Sequence, residues 1–173
     1  MSCIMLLVGE SGCGKSTIAN KLCEEHGMKQ VESYTTRPPR YPGETGHIFV
    51  SEEVFNKLDG IVGFTRFDRY FYCATETQVD DCDIYVIDPA GVDYFMENYH
   101  GKKTVCVVKI EVDLKHRMYR MMDRGDAWED ITRRLKNDEK AFANVKADVV
   151  IENYNLNQCV DALWNVFEKE NNK

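Results

Sequence analysis

At 173 residues, 43% of them apolar and 29% charged, the chain has the composition of one globular domain and needs no metal or disulfide staple. A formal net charge of −7 excludes a general nucleic-acid binder, which must neutralise many phosphates at once, but allows one polyphosphate in a locally basic cleft. No apolar run approaches the roughly 18 residues of a membrane helix and no signal segment is visible, so no membrane partner and a cytoplasmic location are expected.

Ile4-Met5-Leu6-Leu7-Val8 is a short apolar run ending at Gly9, the pattern of a strand buried on both faces. Ile18, Leu22 and Cys23 then fall at helical spacing, and Gly27 offers a stop. Arg37 to Gly46 holds three of the four prolines and reads as an irregular loop. Ser51 caps a short helix that opens on Glu52 and Glu53. Ile84–Ile87 and Thr104–Val112 are further strands, with a helix over Gly91–Asn98 between them. Leu114–Arg124 and Trp128–Phe142 read as two helices around Arg124-Gly125-Asp126, followed by a strand over Asp148–Ile151 and an amphipathic C-terminal helix marked by Leu156, Val160, Leu163 and Phe167. Strands alternating with helices define an α/β domain with a mainly parallel sheet. The seven cysteines form no C-x-x-C pair, and the four histidines no ligand cluster with them, so the thiols read as reduced, small apolar residues.

Gly9-Glu10-Ser11-Gly12-Cys13-Gly14-Lys15-Ser16 fits G-x-x-x-x-G-K-[ST] and lies between a buried strand and a helix, the context that gives the motif meaning. Backbone N–H groups of such a loop and of the helix N-terminus surround a phosphate with partial positive charge. The ATP-binding set is therefore Gly9, Ser11, Gly12, Cys13, Gly14, Lys15, Ser16 and Thr17, with Lys15 on the β and γ phosphates and the Ser16 hydroxyl suited to Mg²⁺. A GTPase is the first competitor, since Asn56-Lys57-Leu58-Asp59 and Asp88-Pro89-Ala90-Gly91 match its motifs, but they stand in the wrong order. Arg37 and Arg40, three apart around prolines and preceded by Ser33, Thr35 and Thr36, make a rigid cationic grip for a second phosphate.

With Ser33-Tyr34-Thr35-Thr36-Arg37-Pro38-Pro39-Arg40, Phe49-Val50-Ser51, Tyr72, Ile87-Asp88-Pro89-Ala90-Gly91 and Arg120-x-x-x-Arg124-Gly125 in this order, the sequence resembles the guanylate kinase family. The resemblance implies a P-loop kinase fold in one domain, with a core over 1–32, 81–112 and 143–173, a substrate-binding region over 33–80 and an arginine-bearing lid over 113–142. It implies transfer of the ATP γ-phosphoryl to GMP or dGMP with Mg²⁺. Lys15, Arg120, Arg124 and Arg134 would act on the transferred group, and Ser33, Arg37, Arg40, His47, Tyr72 and Asp88 on the acceptor. On the first lid helix Arg117, Arg120 and Arg124 share one face, while Leu114, Met118 and Met121 share another. The chain departs from the family pattern at the base: the guanine-reading glutamate falls on Gly63, its hydroxyl partner on Ala74, the first strand carboxylate on Val86, and a phosphate-binding tyrosine on His47. Asp68 and Glu76 are nearby carboxylates. A small-molecule kinase similar to ribose 1,5-bisphosphate phosphokinases and a non-catalytic guanylate kinase-like binding module are the alternatives.

Overall fold

The structure, a computed structural model, describes residues 2–39, 42–67 and 69–172. Arg40 and Asp68, both named above, lie outside the described residues. Strand β1 (Cys3–Val8) is buried along its whole length, with β6 (Ile84–Val86) on one side and β7 (Thr104–Glu111) on the other. With β8 (Val149–Glu152) beyond β7, the order is β6-β1-β7-β8 and every pairing is parallel. Parallel strands need helical crossovers, which cover both faces and so require a strand apolar at successive positions. Alternation divides β1 between two cores. Cys3, Met5 and Leu7 face α1 (Lys15–His26) and α7 (Leu156–Asn171), whereas Ile4, Leu6 and Val8 face the other side with α4 (Pro89–Asn98). Gly27 ends α1 in the left-handed region, at φ 67°, and its N–H bonds the Cys23 carbonyl. Cys23 itself is only half-buried; Ile18, Ala19 and Leu22 form the inward stripe of α1.

A second sheet, not legible in the sequence, occupies the stretch between α1 and β6. Its order is β3-β2-β5-β4, from β2 (Ser33–Thr35), β3 (His47–Phe49), β4 (Ile61–Phe67) and β5 (Tyr70–Thr75). Its strands β4 and β5 form an antiparallel hairpin that packs on α4, with Val62 and Ala74 in the same core as Phe95. Phe55, Phe64, Phe71 and Tyr94 clasp the hairpin to α2 (Glu52–Phe55) and α4, with ring centroids 5.7–6.4 Å apart. Ser51 caps α2 as its position implies, accepting the Val54 N–H at 3.3 Å. A Thr75–Gln78 capping box opens α3 (Glu76–Asp80), and Gln78 Nε2 donates to the Glu32 carbonyl at 2.8 Å, tying the exit of this region to its entrance.

Helices α5 (Leu114–Asp123) and α6 (Trp128–Ala141) meet at Gly125, whose φ of 87° makes the tight turn. The apolar face expected for α5 is corrected in one respect. Leu114 is 54% exposed, while Arg117 is 4% exposed and shares the buried face with Met121. Helical periodicity fixes which side chains share a face but not which face turns inward. Here acidic partners reward turning Arg117 inward, and Leu114 rotates out.

Candidate active site

The loop from Gly9 to Lys15 leaves the carboxyl end of β1 and enters α1 through Gly12 (φ 80°) and Gly14 (φ 96°), conformations that favour glycine. Space demands glycine as well. A Cβ on Gly12 would lie 2.6 Å from the Arg117 carbonyl oxygen, and one on Gly14 2.6 Å from Asn153 Nδ2. The Cys13 side chain is fully buried, and its carbonyl accepts from Asn153 Nδ2 at 2.9 Å and Arg120 Nη1 at 3.3 Å. Lys15 donates to the carbonyls of Gly9 and Glu10, so its ammonium lies across the mouth of the loop. Ser16 and Thr17 are exposed in the first turn of α1. The Ser16 hydroxyl has no protein partner among the described residues, which leaves it available to a cation.

An ionic cluster ties α5 and α6 to this loop. Arg117 Nε donates to the Ser11 carbonyl at 3.0 Å, Nη1 meets Glu10 at 2.6 Å and Nη2 meets Asp138 at 3.1 Å. Asp138 in turn accepts the Ser11 N–H at 2.8 Å and the Ser11 hydroxyl at 3.3 Å. Nothing in the sequence singled out Glu10 or Asp138. The available signal was an arginine one helical turn from an inward-facing methionine, which needs buried anions nearby.

Opposite the loop, Ser33 Oγ and His47 Nδ1 are 2.9 Å apart, and the His47 ring meets the edge of Tyr72 at 5.7 Å. Strands β2, β3 and β5 lie side by side, which is why these three residues converge. Arg37 is buried under the same cluster. Its two Nη groups bind Glu44 at 2.8 and 3.1 Å, its guanidinium covers Phe49, and its Nε has no partner among the described residues. The hydrogen bonds it donates to Glu44 are the main reason its pKa rises above the usual arginine value. Asp88 caps α4 by accepting the Gly91 N–H at 2.7 Å, and its other oxygen accepts from the Thr65 hydroxyl at 2.7 Å.

A cleft of about 280 Å³ joins the two sides. Gly9, Ser11 and Lys15 line one end, and Ser33, His47, Thr65, Tyr72, Tyr85 and Asp88 the other. Arg134 and Asp138 of α6 also line it, and the buried Arg134 Nε has no partner among the described residues. Arg120 and Arg124 of the α5 end point elsewhere. Arg120 Nη2 is bound to the Asn153 carbonyl at 2.6 Å, bracing the far side of the loop, and Arg124 pairs with Asp126 at 3.0 Å from Nε. A larger hollow of about 590 Å³, between α4 and residues 140–148, contains none of these groups. Glu76, considered above as a base contact, starts α3 and does not line the cleft.

A glycine-bounded loop at the end of a parallel strand, a lysine across its mouth and a polar cluster of Ser33, His47 and Tyr72 facing it define a P-loop phosphotransferase. The family profile described as guanylate kinase matches residues 1–170. A guanylate kinase of Anaplasma phagocytophilum is 29% identical over 98% of this chain and 88% of its own. One of Bartonella henselae is 26% identical over 96% of this chain and 81% of its own. The crystal structure of guanylate kinase from Anaplasma phagocytophilum superposes with a TM-score of 0.63 over 98% of this chain and 87% of that one, at 24% identity, which is a likeness of fold. The chain belongs to the guanylate kinase family.

Proposed function

We propose that this protein transfers the γ-phosphoryl group of ATP to GMP or dGMP, giving the diphosphate. The observation that carries this reading is the shared cleft: Lys15 and Arg134 line one space with Ser33, His47 and Tyr72. In this reading residues 33–80 hold the acceptor, residues 113–142 form the lid, and the remainder is the core that carries the loop.

Each residue has a task set by its chemistry. Lys15 and Arg134 stabilise charge spreading over the transferred group, while the N–H groups of Gly12 to Thr17 cradle the donor phosphates. Ser33, His47, Tyr72 and the Nε of Arg37 hold the acceptor phosphate. Asp88 accepts from the base. No general base is needed, since a monophosphate has a second pKa of about 6 and is mostly dianionic at neutral pH. Arg120 braces the loop, and Arg124 joins the phosphates only if the lid moves enough to part it from Asp126. The described residues contain no group of three His, Cys, Asp or Glu side chains able to hold a metal, and the open Ser16 hydroxyl fits an ion that arrives with the nucleotide. Bound there, Mg²⁺ would neutralise charge on the β and γ phosphates.

A second reading rests on one observation: Gly63 and Ala74, opposite each other in the hairpin, offer no side-chain polar group to a base. That favours a base-free acceptor such as ribose 1,5-bisphosphate. Incubation with Mg-ATP and a panel of GMP, dGMP, AMP, dTMP, dCMP and ribose 1,5-bisphosphate separates the two. GMP or dGMP should be turned over fastest. Turnover of GMP no faster than ATP hydrolysis without an acceptor would refute the assignment, and no transfer to any acceptor despite ATP binding would point to a binding module. No helix among the described residues is long and apolar enough to cross a membrane. The net charge of −7 suits mononucleotide partners better than a polymer, in a cytoplasmic setting that keeps the thiols reduced.

A further inference from the structure

Gly63 lies in β4 directly opposite Ala74 and is tightly enclosed. A Cβ placed on it would meet the ring of Tyr85 at 2.7 Å and the Tyr85 hydroxyl at 2.9 Å. The phenol therefore occupies the space into which a side chain at position 63 would project. Tyr85 enters from β6, beneath the hairpin, with its ring packed against Phe95 at 6.4 Å. It is 4% exposed, lines the cleft, and makes no hydrogen bond among the described residues. Its hydroxyl opens onto the cleft, so its partner is whatever fills that space.

The neighbouring polar group is the Thr65–Asp88 pair. Asp88 can only accept, and Thr65 already donates to one of its oxygens while the Gly91 N–H donates to the other. The phenol is a neutral donor, because burial pushes its pKa well above the ordinary tyrosine value. This end of the cleft thus offers one donor beside one acceptor, the complement of a ring carbonyl next to a ring N–H. We propose that the Tyr85 hydroxyl reads the acceptor base, donating to the ring-carbonyl oxygen of a 6-oxopurine. The inference rests on the reading of the acceptor as a nucleotide, and it makes Tyr85 a determinant of base specificity.

The test is steady-state kinetics of Tyr85→Phe with GMP, IMP and AMP. Phenylalanine keeps the ring and its packing, so an unchanged melting temperature is expected and checks that the fold is intact. The KM for GMP and for IMP should rise about five- to tenfold, the loss of one neutral hydrogen bond. KM for AMP, which has no carbonyl at that position, and KM for ATP should stay within twofold. Gly63→Ala, which pushes the phenol out of place, should raise the KM for GMP in the same direction. An unchanged KM for GMP and IMP in Tyr85→Phe overturns the inference even if GMP is the acceptor. If the wild-type protein ignores GMP but phosphorylates another nucleotide carrying a ring carbonyl, the function reading fails and the same KM comparison judges Tyr85. A base-free preferred acceptor overturns both.

Discussion

Arg117→Met removes a guanidinium from the junction of three segments while keeping the length of the aliphatic stem. In the native protein that guanidinium satisfies Glu10, Asp138 and the Ser11 carbonyl, with its side chain 5% exposed. Breaking a buried pair by removing one partner costs about 3–5 kcal/mol, because the remaining charge stays desolvated. Two features place this site at the low end. Asp138 keeps both Ser11 donors, and Glu10 retains access to water. The expected loss is therefore about 3 kcal/mol, roughly a hundredfold in the folded-to-unfolded ratio and about 6–12 °C in melting temperature for a chain of this size. Urea unfolding of the single variants, of Asp138→Leu and of the double variant would measure it. The double variant has no unmatched charge at Asp138, so it should be at least 1 kcal/mol more stable than the sum of the single losses implies. Additive losses, or a loss below 1 kcal/mol for Arg117→Met, would refute the view that α5 and α6 are fixed to the loop by this buried ionic cluster.

Lys15→Ala should abolish measurable phosphoryl transfer while leaving the unfolding midpoint within a few degrees, since the ammonium bonds groups of its own loop, the Gly9 and Glu10 carbonyls and the Cys13 sulfur; retained transfer would displace Lys15 from its assigned role. With a thiol reagent at pH 8, only the half-buried Cys23 and Cys82 should react before unfolding, and slowly, as burial raises both thiols. Cys73 and Cys159, pushed up to about 12 and about 11, should stay silent, and rapid modification of five or more thiols would contradict the packing. The Tyr99 phenol is raised to about 12 by burial and by its hydrogen bond to Asp80. The folded state therefore holds that proton more tightly than the unfolded state, whose tyrosine pKa is about 10. The stabilisation is complete below about pH 10 and is lost as the pH rises towards 12. Tyr99→Phe should flatten that alkaline loss in urea midpoints, and an identical pH profile would exclude it.

The core sheet and the phosphate loop were legible because each rests on local pattern: a two-sided apolar run, glycines at fixed offsets, a capping serine. The second sheet was not. Strands β2 and β3 have three residues each, and Ser33-Tyr34-Thr35 shows no alternation; such segments become strands only because partners far along the chain bond to them. The site divided the same way. Lys15, Ser33, His47, Tyr72, Asp88 and Arg134 were readable and line the cleft, whereas Thr65 and Tyr85 became visible only through the pairing of β4 with β5 and the closeness of Gly63 to β6. Arg120 and Arg124 were readable as residues but not in direction, since their aim depends on Asn153 and Asp126.

The central position of β1 also bears on the birth of the protein. Its partners come late: Met5 lies opposite Ile84 and Cys106. At synthesis rates of about 5–20 residues per second, the strand emerges several seconds before either neighbour exists. During that interval Ile4-Met5-Leu6-Leu7-Val8 is an uncharged, apolar, β-prone segment with both edges open, the kind of stretch that seeds aggregation. Yield in the cell should therefore depend on how the nascent chain is sheltered until β7 has been made, more than on the stability of the finished fold.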